Sequence, residues 1–139
     1  MTTRPSVRKP RVHMIDSQAD ALTTLALAKE DDLPEICEML LDEINRASIH
    51  TAKKFPADAV AMGSHVTYVD EASGAERSVT LVFPRDADIS AGRVSILTPI
   101  GAGLIGMSKG TSINWPDRDG NKRVLTIIDV RQPETLPAD

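Results

Sequence analysis

The stretch Val94–Pro116 constrains the fold more than any other part of the chain. An apolar strand, Val94 to Leu97, runs into Thr98-Pro99. A short small-residue helix with Leu104, Ile105 and Met107 follows, and Gly110 is placed to stop it. A second strand, Ser112 to Trp115, leaves at once. Proline in a first helical turn and glycine just past a last one is the usual asymmetry of helix ends. An apolar helix this short, held between two strands, requires a sheet to pack on, so it reads as the plug of a small β-domain.

Two catalytic patterns sit in the same stretch and both fail on context. Gly101, Gly103 and Gly106 spell G-x-G-x-x-G, but a dinucleotide site needs a full crossover helix and a parallel strand about 30 residues on. Close backbone approach explains the glycines more simply. Gly106-Met107-Ser108-Lys109-Gly110 spells G-x-S-x-G, yet a nucleophilic serine there requires a downstream histidine. The last histidine, His65, lies upstream of Ser108.

A helical period precedes the plug stretch. Asp16 or Ser17 is placed to cap a first helix running to about Lys29. Leu33, Ile36, Cys37, Leu40, Ile44 and Ala47 recur at three and four residues in a second. Asp32 and Glu35 form a capping-box pattern at its start, with Pro34 tolerated in the first turn. Two amphipathic helices joined by a tight turn zip together as a short antiparallel hairpin. Its first arm reaches about 20 Å at ~1.5 Å per residue. Cys37 falls on the apolar seam, where packing is the expected role.

From Met62 the period becomes extended. Strands are expected at His65–Val69, Glu76–Phe83 and Lys122–Arg131, in addition to the two flanking the plug. Turns are expected at 70–74 and 117–121. The resulting fold class is α+β: a short N-terminal helical hairpin, then an antiparallel sheet of about five strands with one packed helix. The expected divisions are a mobile basic tail (1–12), the hairpin (13–52), a hinge (53–61), the β-domain (62–133) and a C-terminal tail (134–139).

Charge is distributed unevenly. Arg4, Arg8, Lys9 and Arg11 make the tail basic, a source of weak nucleic-acid contact at most. Residues 13–52 carry nine acids against Lys29 and Arg46. That acidic surface repels phosphate backbones and favours a positively charged protein partner. Aromatic content of 3% argues against base stacking and against the aromatic pocket of a prolyl isomerase. A lone cysteine excludes an internal disulfide framework, and no apolar run is long enough for a bilayer span. A cytoplasmic location, no membrane association and a monomeric state are expected. His13, His50 and His65 lie on different elements without ligand spacing, so neither a metal nor a cofactor is expected.

With these elements placed, the sequence resembles the regulator-of-nucleoside-diphosphate-kinase (Rnk) family, relatives of the Gre transcription elongation factors. The likeness runs from about Leu40 to Glu134. It is carried by Glu43-Ile44-Asn45-Arg46-Ala47, by Pro56 through Val66 with its Met62-Gly63-Ser64, and by Thr80-Leu81-Val82-Phe83-Pro84. Ser95-Ile96-Leu97-Thr98-Pro99-Ile100-Gly101-Ala102, Leu104-Ile105-Gly106, Gly110 through Trp115 and Gln132-Pro133-Glu134 complete it.

The resemblance implies a coiled-coil hairpin, an FKBP-like β-domain and RNA polymerase as partner. In Gre-type factors the β-domain docks at the rim of the polymerase secondary channel and the coiled coil points inward. By that analogy Thr98, Pro99 and Ile100 are the candidate docking residues, and Glu30, Asp31 and Asp32 form the hairpin tip. The leading expectation is a non-enzymatic transcription regulator that competes with cleavage factors. The alternatives are a cleavage-stimulating factor that lends tip acids to a polymerase Mg²⁺, and a direct regulator of nucleoside diphosphate kinase. The hairpin is about half the length usual for Gre-type factors, which favours the first.

Overall fold

A computed structural model of the protein describes residues 11–71, 73–116 and 122–133. Most of the basic tail, the C-terminal tail and the turn expected at 117–121 lie outside the described residues. The elements are β1 (His13–Ile15), α1 (Asp16–Lys29), α2 (Pro34–Asn45), β2 (Ser48–His50), β3 (His65–Asp70), β4 (Glu76–Val82), β5 (Arg93–Ser95), α3 (Pro99–Leu104), β6 (Ser112–Pro116) and β7 (Lys122–Arg131).

The main sheet has five strands in the order β5-β4-β3-β7-β6. The pairs β3–β4, β3–β7 and β6–β7 are antiparallel, as expected. The β4–β5 pair is parallel, which corrects the all-antiparallel expectation. Short 3₁₀ turns at Pro84–Asp86 and Ile89–Ala91 allow this: the chain swings round after β4 and re-enters alongside it. A register shift opposite Thr67/Tyr68 marks a bulge in β7.

Two strands escaped the sequence reading. β1 and β2 pair in parallel, His13 opposite Ser48 and Ile15 opposite His50. Each has three residues, too few for a period, and they meet only because the helical pair between them folds back on itself. Val12, within the expected tail, is fully buried. Any free arm therefore ends before it.

The two halves of the chain share one hydrophobic cluster. It holds Val12 and Met14 beside β1, Leu22 and Ala26 of α1, Cys37 and Leu40 of α2, Leu104 of α3, and Val66, Leu81 and Ile127 of the sheet. The segment 53–61, expected to be a hinge, is packed instead. Phe55, Ala59, Val60 and Ala61 are buried, and a second small cluster joins Phe55, Ala59 and Ala61 to Ile15.

Helix ends also differ from expectation in detail. Ile15 is the N-cap of α1 and Leu33 that of α2, and neither makes a side-chain cap bond. Asp16 instead accepts from the Ser17 backbone N–H at 2.7 Å, and Asp32 does not cap α2. α3 stops at Leu104, with Ile105 as its C-cap, rather than running to Gly110. The chain leaves α3 through Gly106 at φ +79°, a left-handed conformation that glycine adopts without a Cβ penalty.

Candidate functional site

Two surfaces carry the residues singled out from the sequence, and both are built by helix ends. The first is the start of α3. Thr98 is its N-cap: the hydroxyl accepts from the Gly101 N–H at 3.1 Å and donates to the Ser95 carbonyl at 2.7 Å. Pro99 occupies the first turn, where its missing N–H costs nothing. Pro99 is exposed, while Thr98 and Ile100 are half-buried. Ile100 leans on the main cluster. The Thr98 hydroxyl is thus committed to the cap, and the face open to a partner is Pro99 with the outer part of Ile100.

Gly101 shows why the glycines of this stretch are there. A Cβ on it would collide with the Ser95 carbonyl and the Ile96 backbone. At Gly106 a Cβ would meet the Val12 side chain and, at 2.8 Å, the His13 carbonyl. Close backbone approach is therefore what G-x-G-x-x-G encodes here. Ser108 is half-buried in an isolated bridge with Ala59.

The second surface is the turn between α1 and α2. Glu30, Asp31 and Asp32 are all exposed. The Asp32 and Leu33 backbone N–H groups donate to the Lys29 carbonyl at 3.1 and 2.9 Å, which closes the turn without using a carboxylate. An open groove beside it is lined by Glu30, Asp31, Pro34, Glu38, Leu41 and Asp42. Cys37, one turn into α2, is fully buried. Burial pushes its thiol pKa up, and the charges of Glu30 and Asp32 push the same way. It therefore stays a protonated packing residue, not a nucleophile.

The opposite end of the helical pair is tied down. Gln18 of α1 accepts from the Met62 N–H at 2.9 Å, and buried Ser64 accepts from the Ala61 N–H at 2.9 Å. Glu43, 7% exposed, pairs with Arg46 at 2.7 Å. The His13 N–H donates to the Gly106 carbonyl at 2.9 Å, and the Ser48 N–H to the Val12 carbonyl at 2.8 Å. Gln132 donates through Nε2 to the carbonyls of Pro56 (2.7 Å) and Ala59 (3.0 Å), stapling the end of β7 to the 56–59 loop. These bonds give physical content to the Met62-Gly63-Ser64, Glu43…Arg46 and Gln132-Pro133 matches. The role of Gln132 had no local signal, because its partners lie 76 and 73 residues away.

The histidines lie on three different strands, yet two of them meet. His65 is apart, on the exposed face of β3 beside Thr80. His13 and His50 instead meet, Nδ1 to Nε2, at 3.0 Å. Among the described residues no group of three His, Cys, Asp or Glu side chains is placed to hold a metal ion, and no helix is long and apolar enough to cross a membrane.

A mixed sheet plugged by a short helix and preceded by a helical pair defines an α+β protein. Comparison with known proteins sharpens that class. The family described as "Transcription elongation factor, GreA/GreB, C-term" matches residues 55–132. The transcription elongation factor GreA of Azorhizobium caulinodans is 37% identical over 137 residues, covering 92% of this chain and 86% of that one. The regulator of nucleoside diphosphate kinase of Escherichia coli K12 is 33% identical over 100 residues, 71% of this chain and 74% of that one. A solved structure, the prokaryotic transcription elongation factor GreA/GreB from Nitrosomonas europaea, superposes with a TM-score of 0.72 at 32% identity. It covers 88% of this chain and 99% of the other. The chain belongs to the GreA/GreB family of transcription elongation factors and their Rnk relatives.

Proposed function

We propose that the protein is a non-enzymatic transcription regulator that binds RNA polymerase at the entrance of the secondary channel and competes there with Gre-type cleavage factors. In this reading residues 62–133 are an FKBP-like docking body and residues 13–52 a shortened coiled-coil probe. Pro99 and Ile100, presented by the Thr98 cap, form the contact that grips the channel rim. A proline-rigidified apolar knob loses little entropy on docking.

The observation that carries the reading is the length of the probe. The 14 residues of α1 span about 21 Å at ~1.5 Å each. An acidic tip on so short an arm suits occupation of an entrance better than delivery of carboxylates to a distant active site. The test is binding of the full chain to core RNA polymerase, alone and in competition with a cleavage factor. Pro99→Asp and Ile100→Asp are expected to weaken binding at least tenfold. Undiminished binding by both variants would remove the docking surface from the proposal.

The exposure of Glu30, Asp31 and Asp32 favours a second reading, stimulation of transcript cleavage through a polymerase-bound Mg²⁺, for which carboxylate oxygens are suitable ligands. RNA shortening by backtracked polymerase that disappears with Asp31→Ala and Asp32→Ala would replace the first reading with this one. The name of the Escherichia coli relative motivates a third, direct control of nucleoside diphosphate kinase. Co-purification of the kinase without polymerase would favour it.

A further inference from the structure

His13 lies on β1, which leads into α1, and His50 on β2, which leads out of α2. The parallel register sets His13 two positions from His50 across the ribbon. His13 Nδ1 and His50 Nε2 are 3.0 Å apart, with ring centroids 5.2 Å apart and planes inclined by 37°. Phe55 stands edge-on to the His50 ring, 6.2 Å away at 79°. Both imidazoles are half-buried and so open to a small solute. As neutral rings they share one N–H: one of the two facing nitrogens donates and the other accepts.

Two nitrogens 3.0 Å apart, each bonded to an ion at ~2.0–2.1 Å, subtend an angle of roughly 91–97° at that ion. This is close to the right angle between neighbouring ligands in tetragonal or octahedral coordination, and well short of the tetrahedral angle. We propose that His13 and His50 form a two-imidazole chelate for a borderline divalent transition ion of the Cu²⁺ or Ni²⁺ class, with water completing the sphere. For both nitrogens to bind, the ring that donates the shared N–H shifts to its other tautomer, with the proton on its outer nitrogen, and both rings tilt so that their lone pairs converge beside the line joining them. Imidazole suits such ions, whereas Mg²⁺ takes oxygen ligands.

The surrounding charges are mixed. Arg11 repels a cation at this position and Asp58 attracts one. A bound ion would tie β1 to β2 and fix the root of the helical pair, whatever partner the protein serves.

The test uses the tag-free full chain, stripped with chelator and titrated with Cu²⁺ and Ni²⁺ by calorimetry, with Mg²⁺ as control and an electron paramagnetic resonance spectrum of the Cu²⁺ form. One ion per chain, nitrogen coupling from two imidazoles and a rise in Tm are expected. His13→Gln and His50→Gln should each weaken binding about tenfold or more, since even groups behind the ligands typically cost that much. His65→Gln should bind as the parent does. Absence of two-imidazole coupling in the unsubstituted protein would overturn the proposal without recourse to any variant. So would binding that survives both the His13 and His50 substitutions in folded protein. The pair would then be a hydrogen bond between strands and nothing more.

Discussion

The helical pair has two ends made on opposite plans. At its root, side chains and backbone are committed: Gln18, Ser64, Glu43 and Gln132 each hold a named partner, and Gly106 lets β1 lie against the exit of α3. At its tip, Glu30, Asp31 and Asp32 are exposed and the turn closes through backbone alone. The root spends its polar groups on structure. The tip leaves its carboxylates exposed. Substitutions at the two ends should therefore fail differently, and the contrast can be broken by experiment.

The largest effect is expected from Leu40→Ala. Leu40 is fully buried in the cluster shared by the helices and the sheet. Truncating such a leucine costs about 2–5 kcal/mol. Because the cluster is continuous, the helices and β3 should lose protection together. Chemical denaturation followed by circular dichroism, and hydrogen exchange of the β3 amides, check this. Separate transitions for helices and sheet would show that the root is a joint between independent units.

Gly106→Ala comes next, at about 2–4 kcal/mol by urea denaturation, because it combines overpacking with a left-handed φ. Gly101→Ala separates the two causes, since its φ is unremarkable and only the collision with the Ser95 carbonyl remains. A Gly101 variant as damaged as the Gly106 one would assign the whole cost to contact.

Gln132→Ala should cost about 1–3 kcal/mol by leaving the Pro56 and Ala59 carbonyls without this donor. Gln132 also marks the limit of what the sequence could say. Helix α2 was legible because its apolar residues recur at three and four, and strands β3, β4 and β7 because β-branched and apolar residues run through them; α1 gave a weaker signal, its apolar side chains being spread around the helix. The end of α3 was not: Gly106 and Gly110 are both glycines, and only the approach of Val12 and His13 decides that the chain turns at the first. β1 and β2 were invisible for the same kind of reason. His-Met-Ile and Ser-Ile-His have no period, and their pairing depends on a hairpin that must form first. Of the candidate surfaces, exposure of the tip acids could be read locally. The His13–His50 contact, 37 residues apart, could not.

A smaller effect should appear with pH. The His13 pKa is lowered from 6.5 in the folded protein, chiefly by burial and then by electrostatic interaction with His50 and Arg11. The unfolded chain therefore binds more protons than the folded one as pH falls through and below 6.5. This contribution is complete above 6.5 and is lost progressively as pH drops through the lowered folded value. In metal-free buffer, the fall in Tm between pH 7 and pH 5 should be shallower in His13→Gln than in the parent. Equal slopes would mean that the ring titrates as it does in the unfolded chain.

The smallest change in stability belongs to the tip. Asp31→Ala and Asp32→Ala remove exposed carboxylates that form neither a helix cap nor the turn closure, and surface changes of this kind stay within about 0.5 kcal/mol. Their value lies in that silence. A double variant with unchanged Tm is a clean instrument, so any change in its behaviour on polymerase reports contact and not unfolding. If the protein acts by occupying the channel entrance, the variant should bind core polymerase with little change and still compete with a cleavage factor. If the acids are the working part, competition should survive while a cleavage signal is lost. A loss of stability well above 0.5 kcal/mol would instead place the carboxylates among the structural groups and erase the difference between the two ends of the pair.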